Sequence, residues 1–251
     1  MKILAIDAGN TRIKWAQHDG AAWCADGWVP TAADGDLAGA LAGVGDVDRI
    51  VIANVAGAAA RARIATALAR FAVEPHWLVA SAACCGVHSS YAQPERLGAD
   101  RWAALIGARA RHAGPCIVAN AGTTLTVDAL TDEGVFLGGC IVPGVPLMQD
   151  TLDRNTAQLA RREGAFAYFP DNTADAITSG AINALAGVVD RMLSYLQQIT
   201  GSEPMILLSG GAADALAPHL AHRVERVAAL VLEGLLVVAL DDGVNEGANE
   251  E

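Results

Sequence analysis

The chain has 251 residues, 53% hydrophobic and 18% charged, which is enough apolar material for one large domain or two modest ones with a substantial core. A formal net charge of −11 argues against sequence-independent binding to nucleic acid, whose affinity comes from Lys and Arg neutralising phosphates. The five cysteines, Cys24, Cys84, Cys85, Cys116 and Cys140, are odd in number and lack Cys-x-x-Cys spacing, so neither a disulfide framework nor a zinc site is indicated and a reduced, cytoplasmic protein is expected.

In chain order, the apolar run Lys2 to Ile6 begins a strand at once, with no apolar leader and no small-residue cleavage site, so no secretory signal is expected. The run ends in Asp7-Ala8-Gly9-Asn10-Thr11, and a second strand follows from Arg12 to Gln17. Glycine lets backbone amides turn toward an anion without a Cβ in the way, while Asn and Thr side chains add donors. A Gly- and Asp-rich stretch with a short helix near Leu37 to Ala42 comes next, then a strand at Arg49 to Asn54, a helix from Ala58 to Phe71 and a short strand at Trp77 to Val79. A helix from Asp100 to His112 is stopped by Gly114-Pro115, a capping glycine followed by a residue that cannot continue the helix.

The second half repeats this order. Cys116 to Ala119 leads into Asn120-Ala121-Gly122-Thr123-Thr124, and Leu125 to Leu130 follows. Two such turns facing each other would clamp a polyphosphate. A strand at Val135 to Val142 precedes a long helix on which Ile177, Ala181, Leu185, Val188, Met192 and Leu196 share one face, the expected core face, before an end near Gly201. Met205 to Leu208 is a strand that runs into Ser209-Gly210-Gly211 and a further helix. The longest apolar stretch, Val227 to Leu240, carries Glu233 and is shorter than the roughly 20 residues a bilayer span needs, so a buried helix and no membrane partner are expected. The Gly114-Pro115 stop divides the chain into domains 1–115 and 116–240, with 241–251 an acidic tail of disordered composition.

Several segments carry chemistry. Asp7 ends a strand just before a turn, where a carboxylate either holds a hydrated Mg²⁺ that bridges phosphate oxygens or serves the turn by local hydrogen bonding. Gly98-Ala99-Asp100-Arg101-Trp102 opens the central helix, where free amides favour an anion. Asp100 and Arg101 are either ordinary helix-start residues or a general base and an anion clamp. Gly138-Gly139-Cys140-Ile141-Val142-Pro143-Gly144 is a strand end and shaped loop that lines a ligand or turns a corner, and Ser209-Gly210-Gly211 admits close backbone approach. The six His share no spacing, and no metal site is assigned to them.

Together, Asp7-Ala-Gly-Asn-Thr11, Gly98-Ala-Asp-Arg101, Asn120-Ala-Gly-Thr-Thr-Leu-Thr-Val-Asp128 and Gly138-Gly-Cys-Ile-Val-Pro-Gly144 resemble, in order and spacing over nearly the whole chain, the signature of the type III pantothenate kinases. The resemblance implies an α/β protein of the acetate and sugar kinase, Hsc70 and actin superfamily: duplicated ribonuclease-H-like (actin-like ATPase) domains, mixed sheets flanked by helices, with ATP between the halves. It implies ATP-dependent phosphorylation of pantothenate to 4′-phosphopantothenate, the first step of coenzyme A biosynthesis, by a homodimer whose pantothenate site lies near the subunit interface. Residue by residue, it puts the nucleotide loop on Asp7, Ala8, Gly9, Asn10, Thr11, Arg12, Ile13 and Lys14, and a second phosphate contact on Thr123. It makes Asp100 the proton acceptor and puts pantothenate contacts on Tyr91, Gly98, Ala99, Asp100, Arg101 and Thr173.

The family uses Mg²⁺ with ATP and a K⁺ or NH₄⁺ ion, the latter associated with an Asp that opens the second phosphate motif. Here that position is Asn120, whose amide oxygen coordinates a cation without supplying charge, so monovalent-cation dependence is open. Two other readings share the phosphate turns. One is a kinase for a sugar or carboxylate acceptor, disfavoured by Tyr91 and Gly98 to Arg101. The other is a nucleotide-binding regulator on the same scaffold, disfavoured by the presence of both Asp7 and Asp100.

Overall fold

An unbroken apolar run makes a strand only where both faces of the sheet are covered, and the first strand, β1 (Ile3–Ala8), is buried at every position. The computed structural model describes residues 1–32, 34–155 and 163–241. These divide into two units, 1–113 with 229–241, and 114–228.

In the first unit β1, β2 (Arg12–His18) and β3 (Trp23–Pro30) form an antiparallel meander. After the short helix α1 (Leu37–Ala40), β4 (Arg49–Asn54) returns parallel to β1, and after α2 (Gly57–Leu68) the two-residue β5 (His76–Trp77) lies parallel to β4. The order across the sheet is β3-β2-β1-β4-β5. Leu4, Ile6, Ile13, Ile50, Ile52 and Ile64 build the core on one face. Strand β3 occupies the stretch whose Gly and Asp content marks turns in the sequence. Only Val29 of its eight residues is buried, so this edge strand carries no apolar run to announce it. A small hairpin, β6 (Ala83–Cys84) with β7 (Val87–Ser89), precedes α3 (Ala99–Arg111). Helix α3 is buried from Arg101 to Ala108, with Trp102, Leu105 and Ile106 wholly enclosed.

The second unit repeats the plan. β8 (Cys116–Ala121), β9 (Thr124–Leu130) and β10 (Val135–Pro143) form the antiparallel meander. Helices α4 (Val145–Asn155) and α5 (Thr173–Thr200) lead to β11 (Met205–Ser209), parallel to β8. After α6 (Ala213–Leu216), β12 (Val224–Arg226) lies parallel to β11. The order β10-β9-β8-β11-β12 matches the first unit strand for strand, in direction as well as position. This is the duplicated ribonuclease-H-like arrangement expected above.

Helix α5 starts where the Asn172 side chain accepts the Asp175 amide at 3.0 Å and ends at Gly201, whose φ of 72° is the left-handed cap that glycine adopts freely. Its buried stripe is Ala181, Leu185, Ala186, Val189, Leu193 and Leu196. Ile177, Val188 and Met192 of the expected face are only half-buried, so the helix is turned slightly from the simple period.

The last helix, α7 (Leu230–Leu240), corrects the linear division of the chain. Expected with residues 116–240, it belongs instead to the first unit, where it packs along α3 and also meets β1 and β4. Two glycines make that contact close. A Cβ at Gly234 would lie on the Ala103 carbonyl oxygen, and one at Gly107 would stand 2.6 Å from the Leu230 oxygen, so both positions need a bare backbone. The acidic tail, 241–251, falls outside the described residues except for Asp241. Among the described residues no helix is long and apolar enough to cross a membrane.

Candidate active site

In the first unit, the turn between β1 and β2 leaves four residues, Gly9 to Arg12, between the paired Ala8 and Ile13. The Gly9 amide donates to the Arg12 carbonyl at 3.0 Å, and Thr31 secures the turn from β3's end, its hydroxyl donating to the Gly9 carbonyl at 2.6 Å. Asn10, Thr11 and Arg12 are exposed at the tip, while Ala8 and Ile13 are core. The Arg12 guanidinium stacks 4.1 Å above the Trp28 ring, which fixes a cation at the turn. Asp7 faces Lys14 across the ladder. Its carboxyl is buried, and burial raises its pKa to about 6; Lys14 opposes the shift and the Asp100 charge adds to it.

Helix α3 supplies the second part of this site. Its cap is Gly98, and the Asp100 carboxylate curls back to accept the Arg101 amide at 2.8 Å. A Cβ at Gly98 would stand 2.6 Å from that carboxylate oxygen, so glycine leaves the space in which Asp100 sits. Burial pushes the Asp100 pKa up, against the pull of the Arg101 amide and guanidinium. Arg101 is itself buried, and its guanidinium donates to the Tyr91 hydroxyl at 3.4 Å. The first unit thus gathers Asp7, Lys14, Tyr91, Gly98, Asp100 and Arg101 of the expected residues: two carboxylates of raised pKa, a turn rich in donors and a buried cation.

One lining segment went unread in the sequence. The loop Asn54-Val55-Ala56-Gly57 leaves β4 beside β1, and the Val55 amide donates to the Ala8 carbonyl at 3.0 Å. Asn54 braces the loop, accepting the Ala56 amide at 3.0 Å and donating to the Gly57 carbonyl at 3.2 Å. Val55 Cγ1 lies 3.5 Å from the Cβ position of Gly98, so this loop backs the start of α3. The sequence signal was slight: an Asn at a strand end and Gly57, which takes a φ of 84°.

The second unit, described by itself, carries Asn120, Thr123 and Thr173. Its turn is one residue shorter, with Gly122 to Thr124 between the paired Ala121 and Leu125. The Gly122 amide donates to the Thr124 carbonyl at 2.9 Å, and Thr123 is exposed. The glycine-rich segments explain themselves here. A Cβ at Gly144 would stand 2.5 Å from the Gly122 carbonyl oxygen, and one at Gly210 would overlap the Ala121 oxygen and stand 2.7 Å from the Asn120 side-chain oxygen. Both strand-end loops press on the turn's backbone and hold its shape. Thr173 opens α5 and lines an apolar groove with Met148, Leu152, Ala176, Ile177 and Gly180.

Two units with one strand order, each with a glycine turn in its first hairpin, define the class of proteins built on a duplicated ribonuclease-H-like fold. The fold is similar to that of a putative 2-dehydro-3-deoxygalactonokinase from Sinorhizobium meliloti, with a TM-score of 0.58 and 19% identity over 94% of this chain and 98% of that one. It is also similar to that of a conserved putative Baf family transcriptional activator from Campylobacter jejuni, with a TM-score of 0.59 and 19% identity over 98% and 99% of the two chains. At such identity these likenesses concern the fold alone. The family is defined by sequence: the type III pantothenate kinase profile matches residues 3–195. The type III pantothenate kinase of Aromatoleum aromaticum is 50% identical over 243 residues, covering 96% of this chain and 98% of that protein. The chain belongs to the type III pantothenate kinase family.

Proposed function

We propose that this protein transfers the γ-phosphoryl group of ATP to the primary hydroxyl of pantothenate, giving 4′-phosphopantothenate, the first step of coenzyme A biosynthesis. The observation that carries this reading is the pair of carboxylates with raised pKa, buried Asp7 at the end of β1 and half-buried Asp100 at the start of α3. Asp100 accepts the hydroxyl proton as the oxygen attacks the γ-phosphorus; burial makes its carboxylate a better base, and the Arg101 amide holds it in place. Arg101, with Tyr91, binds the anionic end of pantothenate. The turn from Asp7 to Lys14 receives the phosphates through its amides and its two cations. Positioning and charge neutralisation supply most of the acceleration in such transfers.

Asp7 fits a magnesium site held through water: a buried carboxylate with a raised pKa gains its charge back when a divalent cation approaches. A bound magnesium ion neutralises charge on the phosphoryl oxygens. Asn120 offers an oxygen and no charge to a monovalent ion, so dependence on K⁺ or NH₄⁺ is expected to be weak.

A homodimer fits the second unit's surface, where Tyr168 and Phe169 are 87% and 96% exposed and Ile199 is 67% exposed on α5. The free thiols suit a cytoplasmic location. Mixing an Asp100→Asn chain with a Thr173→Ala chain tests a shared site: activity recovered in the mixture supports it, and no recovery contradicts it.

The activity is tested by following ADP release with pantothenate and with a panel of sugars and hydroxy acids as acceptors, at several potassium concentrations. Pantothenate-dependent turnover is expected at each of them. Turnover only with another acceptor, or nucleotide binding with no turnover at all, would overturn the reading.

A further inference from the structure

The β6–β7 hairpin closes through Cys85-Gly86. Ala83 pairs with His88 and Cys84 with Val87, so two residues make the turn. Their φ angles of 50° and 77° are both left-handed. That is the signature of the type I′ turn favoured by hairpin twist, whose first central residue is normally Asn, Asp or Gly. Cys85 is the only non-glycine residue of positive φ among the described residues, at a cost of about 1 kcal/mol. What the strain obtains is a juxtaposition of two half-buried thiols: Cys84 Sγ and Cys85 Sγ are 3.4 Å apart.

The pair is not symmetric. Cys85 Sγ also lies 3.2 Å from a carboxylate oxygen of Asp241, at the end of α7, so its single proton has two acceptors, Cys84 Sγ and that carboxylate. The hydrogen bond from Cys85 lowers the Cys84 pKa, whereas that same bond, burial and the Asp241 carboxylate push Cys85 up. Cys84 is therefore the thiol that ionises first, and the thiolate is the nucleophile.

We propose that Cys84 and Cys85 form a reversible dithiol–disulfide site oxidised by hydrogen peroxide. The Cys84 thiolate attacks one peroxide oxygen, the O–O bond breaks, and hydroxide leaves, taking up a proton to become water. The resulting sulfenic acid on Cys84 is attacked by the Cys85 sulfur: the S–S bond forms, the S–O bond breaks, and the hydroxyl leaves with the Cys85 proton as a second water. Two thiols and one peroxide give one disulfide and two waters, so the electrons balance. Neighbouring residues hold their Cα atoms about 3.8 Å apart, short of the usual disulfide span, so the ring is strained and readily reduced. Closing it also removes the Cys85 proton that lies within reach of Asp241, which loosens the end of α7.

The test uses the full chain with the two exposed thiols replaced, Cys24→Ser and Cys140→Ser. After peroxide treatment and iodoacetamide alkylation, mass spectrometry should show a peptide lighter by two hydrogens that spans both cysteines, two fewer alkylated sites, and full recovery with dithiothreitol. Adding Cys85→Asn, a residue suited to the same turn, should stop the reaction at a Cys84 sulfenic acid that dimedone traps. Sulfenic or sulfinic acid accumulating in the chain that retains both Cys84 and Cys85, a disulfide between two chains, or thiols untouched at doses that oxidise the Cys85→Asn chain would each overturn the proposal.

Discussion

The residues beside the first turn are Asp7 and Lys14; at the matching place beside the second they are Asn120 and Thr126. Strand order, direction and the glycine in each turn are common to the two units, and at this pair of positions only the first unit carries charge. The lesson is about what the duplicated scaffold fixes. Backbone amides directed by a glycine turn come with the fold. The carboxylate is optional, because burying it costs free energy that only a cation or another charged partner offsets. In the second unit both members of the pair are neutral, so the apo turn is free of that cost. In the first, the cost is retained and is visible in the raised pKa of Asp7.

This contrast predicts how each unit responds to substitution. The largest effect belongs to Asp100, the partner of Asp7 in the first unit: Asp100→Asn should lower kcat by about 10²–10⁴ while leaving ATP binding intact, as loss of a general base does. Steady-state kinetics with a nucleotide-binding isotherm would check it, and near-native turnover would remove Asp100 from the mechanism.

Next is the cost of the Asp7 charge itself. The folded chain holds a proton on Asp7 up to about pH 6, whereas the unfolded chain releases it near 3.8. Between those values the folded state binds more protons, so this group's contribution to stability is complete at low pH and is lost as pH rises through 6, by up to about 3 kcal/mol. Asp7→Asn should therefore make the ligand-free protein more stable than wild type at neutral pH, with the gap closing on acidification. Urea unfolding across the pH range would show it, and a gap independent of pH would break the argument.

Smaller effects are expected where the second unit's turn is supported by backbone. Gly210 has a φ of 99° and no room for a Cβ. Gly210→Ala should cost about 1–3 kcal/mol of stability from strain and contact. It should also raise the KM for ATP with little change in kcat. An unchanged melting temperature and KM would mean that the turn does not depend on its glycine support.

How far the sequence reveals this arrangement depends on how local each signal is. The two glycine turns, α3 with its Gly98 start and α5 with its Gly201 stop were legible because strand, turn and cap chemistry sit within a few residues. Strand β3 was not, since its inward positions Ala25, Gly27 and Val29 include only one large apolar side chain, too little for an alternation to be read. The home of α7 was not legible either: its apolar sequence says that it is buried, but only the bare backbones of Gly107 and Gly234 say against what. At the site, the carboxylates could be picked out by position in a motif. The loop from Asn54 to Gly57 could not, because its tie to β1 is a backbone hydrogen bond between distant segments, Val55 to Ala8, and its Asn54 brace is local turn chemistry that marks no site.

The most direct test of the asymmetry is to exchange the two residues one at a time and measure pantothenate-dependent ADP release at saturating ATP. Asp7→Asn should lower kcat by about a hundredfold or more, as removal of a preorganised electrostatic group does, while Asn120→Asp should stay within a few-fold of wild type. Equal losses in the two variants, or a larger loss from Asn120→Asp, would contradict the account that the first turn alone carries the charge needed for catalysis.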